Sequence, residues 1–370
     1  MPIRVTHILA PVSFGGGEAL LANLIAARRP DLLESMITLG RAPLLNALLD
    51  DSGAEHRAVG NYEVGVQRKG RRAELIASLP LLGSLRSALA ELRPDVIHAH
   101  GFPPSLLGCF PMGNKVGRVY THHYERQPPG RPEKLCLTAM FNRYDALTTV
   151  ADHLSASMNN HFPRLKYPFT TLRIAVRDEF FNPSPSGVLR ALFPPGTAIG
   201  VCVGRFVATK NQRLILESLA VLPSEVSASI GIVLVGSGPD ETDLRKLAVQ
   251  LGIDDRVIFL GQLSPETMPS VLADADFGIF PTVTEASSLA AAEALAAGLP
   301  LLALDLAPMR ETAEKAGIFV STERFASGLA SLASTHSIAA AAARDAAKKF
   351  RMSAVRAQWA ELYHQVNSDR

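Results

Sequence analysis

Residues 277–305 restrict the fold of this chain more than any other segment, because they combine two strand signals with one helix signal. Residues 277–280 and 301–305 are apolar runs of the length typical of buried strands. The Ala- and Leu-rich stretch between them favours a helix that ends at Gly298. Neighbouring strands that are joined by a helix run parallel, so the segment predicts a parallel α/β sheet.

Two carboxylates flank the start of this predicted helix. Glu285 lies in the loop before it, and Glu293 follows eight residues later, roughly 10 Å further along the helix axis. Ser287 or Ser288 would cap the helix, and its free N–H groups and dipole would favour an anion such as phosphate. A phosphate between two carboxylates that bind hydroxyl groups is the arrangement expected for a nucleotide-sugar.

The same alternation of strands and helices extends over both halves of the chain. Predicted strands cover residues 5–10, 35–40, 95–100, 118–123, 145–150 and 170–176, then 198–204, 229–236, 257–261, 277–280, 301–305 and 318–320. A chain of 370 residues is too long for one ordinary core. We therefore predict two Rossmann-like doubly wound parallel sheets, over residues 1–175 and 176–353. Residues 50–75 are predicted to be rich in loops.

Composition and charge favour a globular enzyme. Hydrophobic residues make up 47% of the chain and the net charge is +2, which argues against a disordered protein. The first residues show no signal-peptide pattern, and no apolar stretch reaches the roughly 20 residues that span a bilayer. The three cysteines are scattered, so we expect reduced thiols in a cytoplasmic protein. The more basic first half favours an acidic acceptor or peripheral contact with the inner membrane, and no nucleic-acid partner is expected.

Two cations follow a predicted buried strand in the second half. Arg205 comes directly after Gly204, and Lys210 stands before the next helix. Parallel sheets bind ligands at the carboxyl ends of their strands, where fixed cations can stabilise the charge of a diphosphate leaving group. Arg205 and Lys210 are therefore candidates for a diphosphate site.

Four histidines stand at the ends of two predicted strands in the first half. His98 and His100 close one strand, and His122 and His123 close the next. This pattern also fits a metal site, so a metal hydrolase is an alternative, although no nearby Asp or Glu completes a ligand set. A dinucleotide site and a Ser-His-Asp hydrolase are disfavoured, because the chain has neither the six-residue glycine fingerprint nor a Gly-x-Ser-x-Gly motif.

Taken in order, these motifs resemble retaining glycosyltransferases of the GT-B fold, in glycosyltransferase family 4. The motifs that carry the resemblance are residues 15–18 (Gly-Gly-Gly-Glu), 95–100 (Asp-Val-Ile-His-Ala-His), 121–123, 181–183, 203–205 with Lys210, 235–239, 257–261, the Glu285 and Glu293 pair, Glu311, and 359–363. They cover nearly the whole chain. The resemblance implies two Rossmann-like domains that face each other across a cleft, with a C-terminal helix, residues 354–370, returning to the first domain.

The resemblance also implies a role for each matching residue. The implied donor-binding residues are Gly16, Gly17, Gly204, Arg205, Lys210, Gly236, Gln262, Leu263, Glu285, Ala286, Ser287, Ser288, Leu289 and Glu293. The implied catalytic residues are His123 or its neighbour His122, with Arg205, Lys210 and Glu285. Within these sets Glu285 would bind sugar hydroxyls and Glu293 the ribose. His100 and Tyr124 are predicted to contact the acceptor.

The implied activity is transfer of a sugar, with retention of configuration, from a nucleotide-sugar to a glycan or lipid-linked acceptor. Bacterial surface polysaccharide or lipopolysaccharide synthesis is the implied setting, and no metal or other cofactor is expected. The chain departs from the family pattern at residues 286–288, which are Ala-Ser-Ser where the family has Gly-Phe-Gly. This departure motivates one alternative, a sugar-nucleotide-binding partner subunit that has lost catalysis. A nucleotide-sugar epimerase of the same fold is a further alternative.

Overall fold

A computed structural model describes residues 1–10, 16–60, 80–102, 104–108, 116–125 and 128–369 of the 370-residue chain. The chain divides into two compact units. Unit 1 consists of Met1–Ala175 together with Met352–Arg370, and unit 2 consists of Val176–Arg351. Each unit is built on a parallel sheet with helices in its connections, so the predicted α/β class with two Rossmann-like sheets is confirmed.

Unit 1 contains a seven-stranded parallel sheet in its described residues. Its strands are β1 Ile3–Leu9, β2 Leu32–Thr38, β3 Glu55–Ala58, β4 Val96–His100, β5 Gly117–His122, β6 Ala146–Thr149 and β7 Phe169–Thr171. They pair in the order β3-β2-β1-β4-β5-β6-β7. The chain therefore builds outward from β1 to β3, returns to the other side of β1, and continues from β4 to β7. The switch point of this sheet lies between β1 and β4.

Helices connect these strands on both faces of the sheet. They are α1 Gly16–Ala26, α2 Pro43–Ser52, α3 Leu81–Leu92, α4 Pro104–Gly108, α5 Arg131–Phe141 and α6 Asp152–His161. In α3 the buried residues Leu85, Ala88 and Leu89 recur at helical spacing and pack in one apolar cluster with Ile97 of β4. A single apolar stripe of this kind is what a crossover helix needs in order to cover a parallel sheet.

Unit 2 contains a six-stranded parallel sheet in its described residues. Its strands are β8 Ala198–Val203, β9 Ile230–Val235, β10 Val257–Gly261, β11 Phe277–Phe280, β12 Leu301–Leu304 and β13 Gly317–Val320. They pair in the order β10-β9-β8-β11-β12-β13, so the switch point lies between β8 and β11. All six residues of β9 are buried, as expected for a parallel strand that is covered on both faces.

The helices of unit 2 surround this sheet. They are α7 Gln212–Ala220, α8 Ser224–Ala228, α9 Glu241–Gln250, α10 Met268–Asp274, α11 Leu289–Ala296, α12 Ala307–Ala313 and α13 Phe325–Ala347. Phe277 and Ile279 of β11 pack with Leu216 of α7 and Leu329 of α13 in one apolar core. Residues 277–305 therefore lie at the centre of this unit, with β11 at the switch point of its sheet.

The last helix, α14 Met352–Ser368, follows unit 2 in the chain but belongs to unit 1. It packs on β1, β4 and β5. Val355, Trp359 and Tyr363 are fully or almost fully buried there, and they recur every four residues along one helix face. None of the helices within the described ranges is both long enough and apolar enough to cross a membrane.

One local prediction was wrong, and another falls mostly outside the described residues. Residues 50–75 were expected to be rich in loops; residues 61–75 are not among the described residues, and residues 50–60 contain the end of α2 and the edge strand β3. Its residues Glu-His-Arg-Ala are half-buried or exposed, so no apolar run marks the strand. The strand predicted over residues 170–176 ends at Thr171, the last residue of β7. Beyond it, the N–H of Val176 donates to the carbonyl of Phe350 in unit 2 (2.7 Å).

Candidate active site

The loops that follow β8 and β11 leave the sheet of unit 2 at its switch point and contact each other. The N–H of Val283 donates to the carbonyl of Thr209 (3.0 Å), which also accepts a hydrogen bond from the hydroxyl of Thr282 (3.1 Å). Ligands of doubly wound sheets bind in the crevice at this position. The two loops carry half of the predicted donor-binding residues.

Lys210 and Glu285 form an ion pair between these two loops. Lys210 ends a short 3₁₀ helix, Ala208–Lys210, and Asn211 follows in a left-handed conformation (φ 54°) that leads into α7. The exposed fraction of the side chain is 28% for Lys210 and 15% for Glu285, so solvent reaches both charged groups. Lys210, the cation predicted to bind a diphosphate, is therefore in direct contact with Glu285, the carboxylate predicted to bind sugar hydroxyls.

Gly236 lies where the loops after β8 and β9 touch. Its φ is 137°, and a Cβ at this position would come within 2.1 Å of the carbonyl oxygen of Gly204. Only glycine allows this approach. Arg205 is exposed after Gly204, and the side-chain amide of Gln212 donates to its carbonyl (3.0 Å). The predicted residues Gly204, Arg205 and Gly236 thus share one edge of the crevice.

The N-terminus of α11 opens at the end of the loop that carries Glu285. Ser288 caps the helix by accepting a hydrogen bond from the N–H of Ala291 (3.3 Å). Of the two serines predicted as caps, Ser288 is therefore the one that caps the helix. Ala286 and Ser287 precede it and are half-buried, and Leu289 is the first helical residue. The N–H groups of this first turn give the crevice a positive partial charge that suits phosphate.

Glu293 lies in the second turn of α11. Burial raises the pKa of its carboxyl group to about 7, and the positive charge of Arg177 opposes that rise only in part. The Arg177 guanidinium also donates to the carbonyl of Pro265, in the segment that follows β10. Gln262, which is exposed, and Leu263 belong to the same segment. A carboxyl group that titrates near neutral pH beside a ligand crevice is typical of a functional site.

The predicted glycines of unit 1, Gly16 and Gly17, are the first two residues of α1. Residue 15 of the same motif lies outside the described residues. Tyr124, predicted to contact the acceptor, follows β5 and is 50% exposed.

The two adjacent histidines at the end of β5 have different surroundings. The Nδ1 atom of His122 lies 3.0 Å from the hydroxyl of Tyr120, whereas the Nε2 atom of His123 lies 3.1 Å from Nδ1 of His100. Successive residues of a strand point to opposite faces of the sheet. The alternative metal site of four histidines was therefore wrong, because His122 is directed away from the others. Burial lowers the pKa of His123 to about 4, so its ring is neutral at physiological pH.

Three residues outside the predicted set complete the histidine cluster. His7 lies in β1, Glu34 in β2 and Arg356 in α14. The ligand atoms of His7, His98 and His100 come within 4.8 Å of one another, a spacing at which three histidines could hold a metal ion. The available signal was a polar residue inside an apolar strand, which both His7 and Glu34 provide.

The ring nitrogens in this cluster already have hydrogen-bonding partners. His98 contacts the hydroxyl of Tyr363 through Nδ1 (2.7 Å) and the hydroxyl of Thr121 through Nε2 (2.6 Å). Both ring nitrogens of His7 and of His100 are also hydrogen-bonded. A metal ion would have to replace a hydrogen bond at each ligand atom. These hydrogen bonds join the cluster into one buried network.

Two known families match the chain. Residues 19–167 match Glycosyltransferase Family 4, and residues 190–350 match Glycosyl transferases group 1. The D-inositol 3-phosphate glycosyltransferase of Mycolicibacterium smegmatis is 37% identical over 128 residues, which are 34% of this chain and 29% of that enzyme. The matched part thus spans about a third of the length of the curated relatives.

Solved structures resemble the whole chain. A glycosyltransferase from Rickettsia africae superposes with a TM-score of 0.82 at 14% identity and covers 100% of both chains. The Anabaena protein HepE, solved in complex with UDP-glucose, superposes with a TM-score of 0.77 at 18% identity and covers 98% of this chain and 100% of its own. At these identities the likeness shows the fold, which is the GT-B fold.

Proposed function

Because this chain belongs to the GT-B glycosyltransferases of family 4 and group 1, we propose that it moves a sugar from a nucleotide-sugar to a glycan or lipid-linked acceptor. The observation that carries the proposal is the meeting of Lys210 and Glu285 beside the capped N-terminus of α11. A cation for the diphosphate, a carboxylate for sugar hydroxyls and a helix N-terminus for phosphate are the parts that such a donor requires.

When the donor binds, it separates Lys210 from Glu285 and contacts both side chains. Its diphosphate takes the ammonium of Lys210 and the guanidinium of Arg205, and its sugar hydroxyls donate to the carboxylate of Glu285. The N–H groups at the start of α11 bind the phosphate next to the sugar. Glu293 accepts hydrogen bonds from the ribose, and the segment at Gln262 and Leu263 lines the space for the base.

The transfer retains the configuration of the sugar through a same-face displacement. The bond between the anomeric carbon and the diphosphate oxygen breaks first, and the acceptor oxygen attacks from the side that the diphosphate leaves. A leaving phosphate oxygen takes the acceptor hydroxyl proton, so no base from the protein is needed for that step. Lys210 and Arg205 stabilise the negative charge that grows on the diphosphate. Because these cations are fixed in the protein, we expect transfer without a metal ion.

The donor class has more support than the acceptor class. HepE has been solved with UDP-glucose, and a curated relative is an inositol-phosphate glycosyltransferase. These relatives support a nucleotide-sugar donor and an acceptor rich in hydroxyl groups. A role in bacterial surface polysaccharide or lipopolysaccharide synthesis, and a cytoplasmic location with peripheral contact at the inner membrane, remain predictions.

A screen of UDP-, GDP-, ADP- and TDP-sugars tests this function. The true donor should raise the melting temperature of the wild-type protein, and the Lys210→Ala variant should lose most of that rise. Radiolabelled donor then reports transfer to a panel of glycan and lipid-linked acceptors, with and without a chelator. Binding without transfer or hydrolysis would favour the inactive partner subunit, and conversion of donor without acceptor would favour an epimerase. No binding by any member of the panel would contradict the proposal.

A further inference from the structure

Gln212 is the first residue of α7, and it is only 2% exposed. Leu214, Ile215 and Leu216, which follow it, belong to the apolar core of unit 2. A buried side-chain amide costs free energy unless it is hydrogen-bonded. The Nε2 atom of Gln212 donates to the carbonyl oxygen of Arg205 (3.0 Å). A buried polar side chain therefore connects the start of α7 to a residue that carries one of the two proposed diphosphate cations.

Both of these cations, Arg205 and Lys210, lie on residues 204–211, which we call the cation loop. The loop runs from the end of β8 to the start of α7. The hydrogen bond from Gln212 closes it, because this bond joins the residue after the loop to the second residue of the loop. The shape of the cation loop thus sets the distance between the two side chains that would hold the donor diphosphate.

The carbonyl of Arg205 does not need Gln212 in order to be satisfied. It also accepts a hydrogen bond from the N–H of Val207 (3.1 Å). Ordering a buried glutamine costs side-chain entropy, and an apolar residue could be buried at the same position without needing a partner. The bond from Gln212 is therefore better explained by where it holds Arg205 than by the satisfaction of a backbone group.

The backbone beside Arg205 is fixed on both sides. The N–H of Gly204 donates to the last carbonyl of β9 (2.9 Å), and the N–H of Phe206 donates to the carbonyl of Ser237 (2.9 Å). Phe206 itself is fully buried in the core of unit 2. With the additional bond from Gln212, Arg205 is held from the β9 side and from α7 at once.

The other end of the cation loop is held without Gln212. The carbonyl of Thr209 accepts two hydrogen bonds from the loop after β11, and one of them comes from a backbone N–H. Lys210 follows Thr209 directly. Loss of the Gln212 bond should therefore displace Arg205 relative to Lys210, and not move the cation loop as a whole.

We propose that Gln212 is a positioning residue for the donor diphosphate, and that it holds Arg205 at the distance from Lys210 at which both cations contact one diphosphate. Gln212 acts through Arg205 and does not itself contact the donor. This role rests on the proposed function, because its ligand is the diphosphate of a nucleotide-sugar. A nucleoside monophosphate offers a single phosphate group, so its binding should depend less on the distance between the two cations.

Calorimetric titration with nucleotides tests this role without an acceptor. UDP, GDP, ADP and TDP, each beside its monophosphate, are titrated into the wild-type protein and into Gln212→Met. Methionine has a similar length but cannot donate a hydrogen bond to the carbonyl of Arg205. We expect the variant to bind the diphosphate about 10-fold more weakly and the monophosphate at most about 3-fold more weakly. Gln212→Leu repeats the test with a second apolar side chain if the methionine variant does not fold.

Two further variants serve as controls. Leu219→Ala removes a fully buried side chain at the far end of α7, so it should lower the melting temperature and leave the ratio of diphosphate to monophosphate affinity unchanged. Gln250→Met makes the same exchange at an exposed position of α9. If Gln212→Met lowers the melting temperature but keeps the wild-type ratio, the role of Gln212 is structural only and the proposal is overturned.

A double-mutant cycle identifies the cation through which Gln212 acts. In an Arg205→Ala background, Gln212→Met should cause no further loss of diphosphate affinity, because the side chain that it positions is gone. In a Lys210→Ala background, the loss should stay close to about 10-fold. Equal losses in both backgrounds would contradict the role of Gln212.

The titrations also separate this role from the proposed function. If none of the four diphosphates binds the wild-type protein, the proposed function and the role of Gln212 are both refuted. If one diphosphate binds equally well to the wild type and to Gln212→Met, only the role of Gln212 is refuted, and the donor site remains supported.

Discussion

Lys210 and Glu285 are 75 positions apart in the chain and form an ion pair where the loops after β8 and β11 meet. The pair joins the two sides of the switch point of unit 2. Because both charged groups remain accessible to solvent, a ligand that carries an anion and hydroxyl groups can separate them and take both partners. The pair therefore holds the side chains of the proposed donor site in place.

Lys210→Ala should reduce sugar transfer by about 100-fold or more, because it removes a fixed cation from the leaving group. It also leaves the Glu285 carboxylate without its ion-pair partner, so donor affinity should fall together with turnover. The measurement is steady-state transfer with the donor identified in the binding screen. Lys246→Ala serves as the matched control, since Lys246 is exposed on α9. Near-wild-type turnover in Lys210→Ala would refute the assigned role.

His123→Phe and His122→Phe should differ in activity although the two residues are adjacent. His123 is proposed to contact a sugar, and loss of such a hydrogen bond should lower kcat/KM by about 10- to 100-fold. His122 is buried beside Tyr120 and directed to the other face of the sheet, so its loss should affect stability more than kcat/KM. The test is to measure kcat/KM and the melting temperature of both variants under the same conditions. The reverse order of effects would identify His122 as the functional histidine.

Glu293 should make unit 2 less stable as the pH rises. In the unfolded chain this carboxyl group loses its proton near pH 4.5, whereas in the folded protein it keeps the proton until about pH 7. Its contribution to stability is thus fully present below pH 4.5 and is lost as the pH rises through 7, by up to about 3 kcal/mol. Denaturant unfolding at pH 5.5 and pH 8.5 measures this loss.

The Glu293→Gln variant should remove this pH dependence, because glutamine does not titrate. From pH 5.5 to pH 8.5 the free energy of unfolding of the variant should therefore rise by about 2 kcal/mol relative to that of the wild type, while nucleotide affinity falls. Glu225→Gln is the control, as Glu225 is exposed on α8. If Glu293→Gln keeps the wild-type slope, then another group is responsible for it.

The histidine cluster should make unit 1 less stable in acid. Burial lowers the pKa of His98 and His100 well below 6.5 and that of His123 to about 4. The unfolded chain therefore binds protons below pH 6.5 that the folded protein does not bind. Each of these residues should lower the free energy of unfolding by about 1.4 kcal/mol per pH unit between pH 6.5 and its folded pKa.

Unfolding measured at half-unit steps from pH 7 to pH 5 would give this slope. His98→Phe should reduce the slope by about 1.4 kcal/mol per pH unit, whatever its effect on absolute stability. An equal slope in both proteins would mean that His98 does not stay neutral in the folded state.

Arg356→Met should destabilise unit 1 by about 3 to 5 kcal/mol, because it leaves the Glu34 carboxylate buried with its charge unbalanced. The double variant Arg356→Met with Glu34→Gln should recover much of that loss, since no buried charge remains. A double-mutant cycle from denaturant unfolding separates the pair from the individual side chains. Additive effects of the two substitutions would show that the residues do not interact.

The sequence was sufficient for the fold class because strands and helices of this protein are marked by simple patterns. Residues 277–305 have apolar strands, a capped helix and a glycine stop, and each of these local signals agrees with the structure. β3 could not be found in the same way, because its residues Glu-His-Arg-Ala lie at a polar sheet edge. The signal for a strand is burial, and an exposed edge strand has little of it.

The candidate site of unit 2 could be proposed from the sequence because its residues follow strand ends in one continuous region of the chain. The histidine cluster was not, since it depends on which strands become neighbours. His7 lies beside His98 because β1 pairs with β4, and no local pattern reports that pairing. His122 and His123 are adjacent in the sequence and were therefore predicted to lie in one site. Side chains alternate between the two faces of the sheet, however, so the two rings have different surroundings. Arg356 reaches Glu34 only through the return of α14.

That return has a consequence for synthesis on the ribosome. Glu34 and Arg356 are separated by 322 positions, and all of unit 2 is translated between them. Until residues 352–368 emerge, the face of the first sheet that carries His7, His98 and His100 lacks the helix that buries it. Unit 2 can complete its own core earlier, because its strands and helices are contiguous. We therefore expect the half that is translated first to be the last to reach its native state.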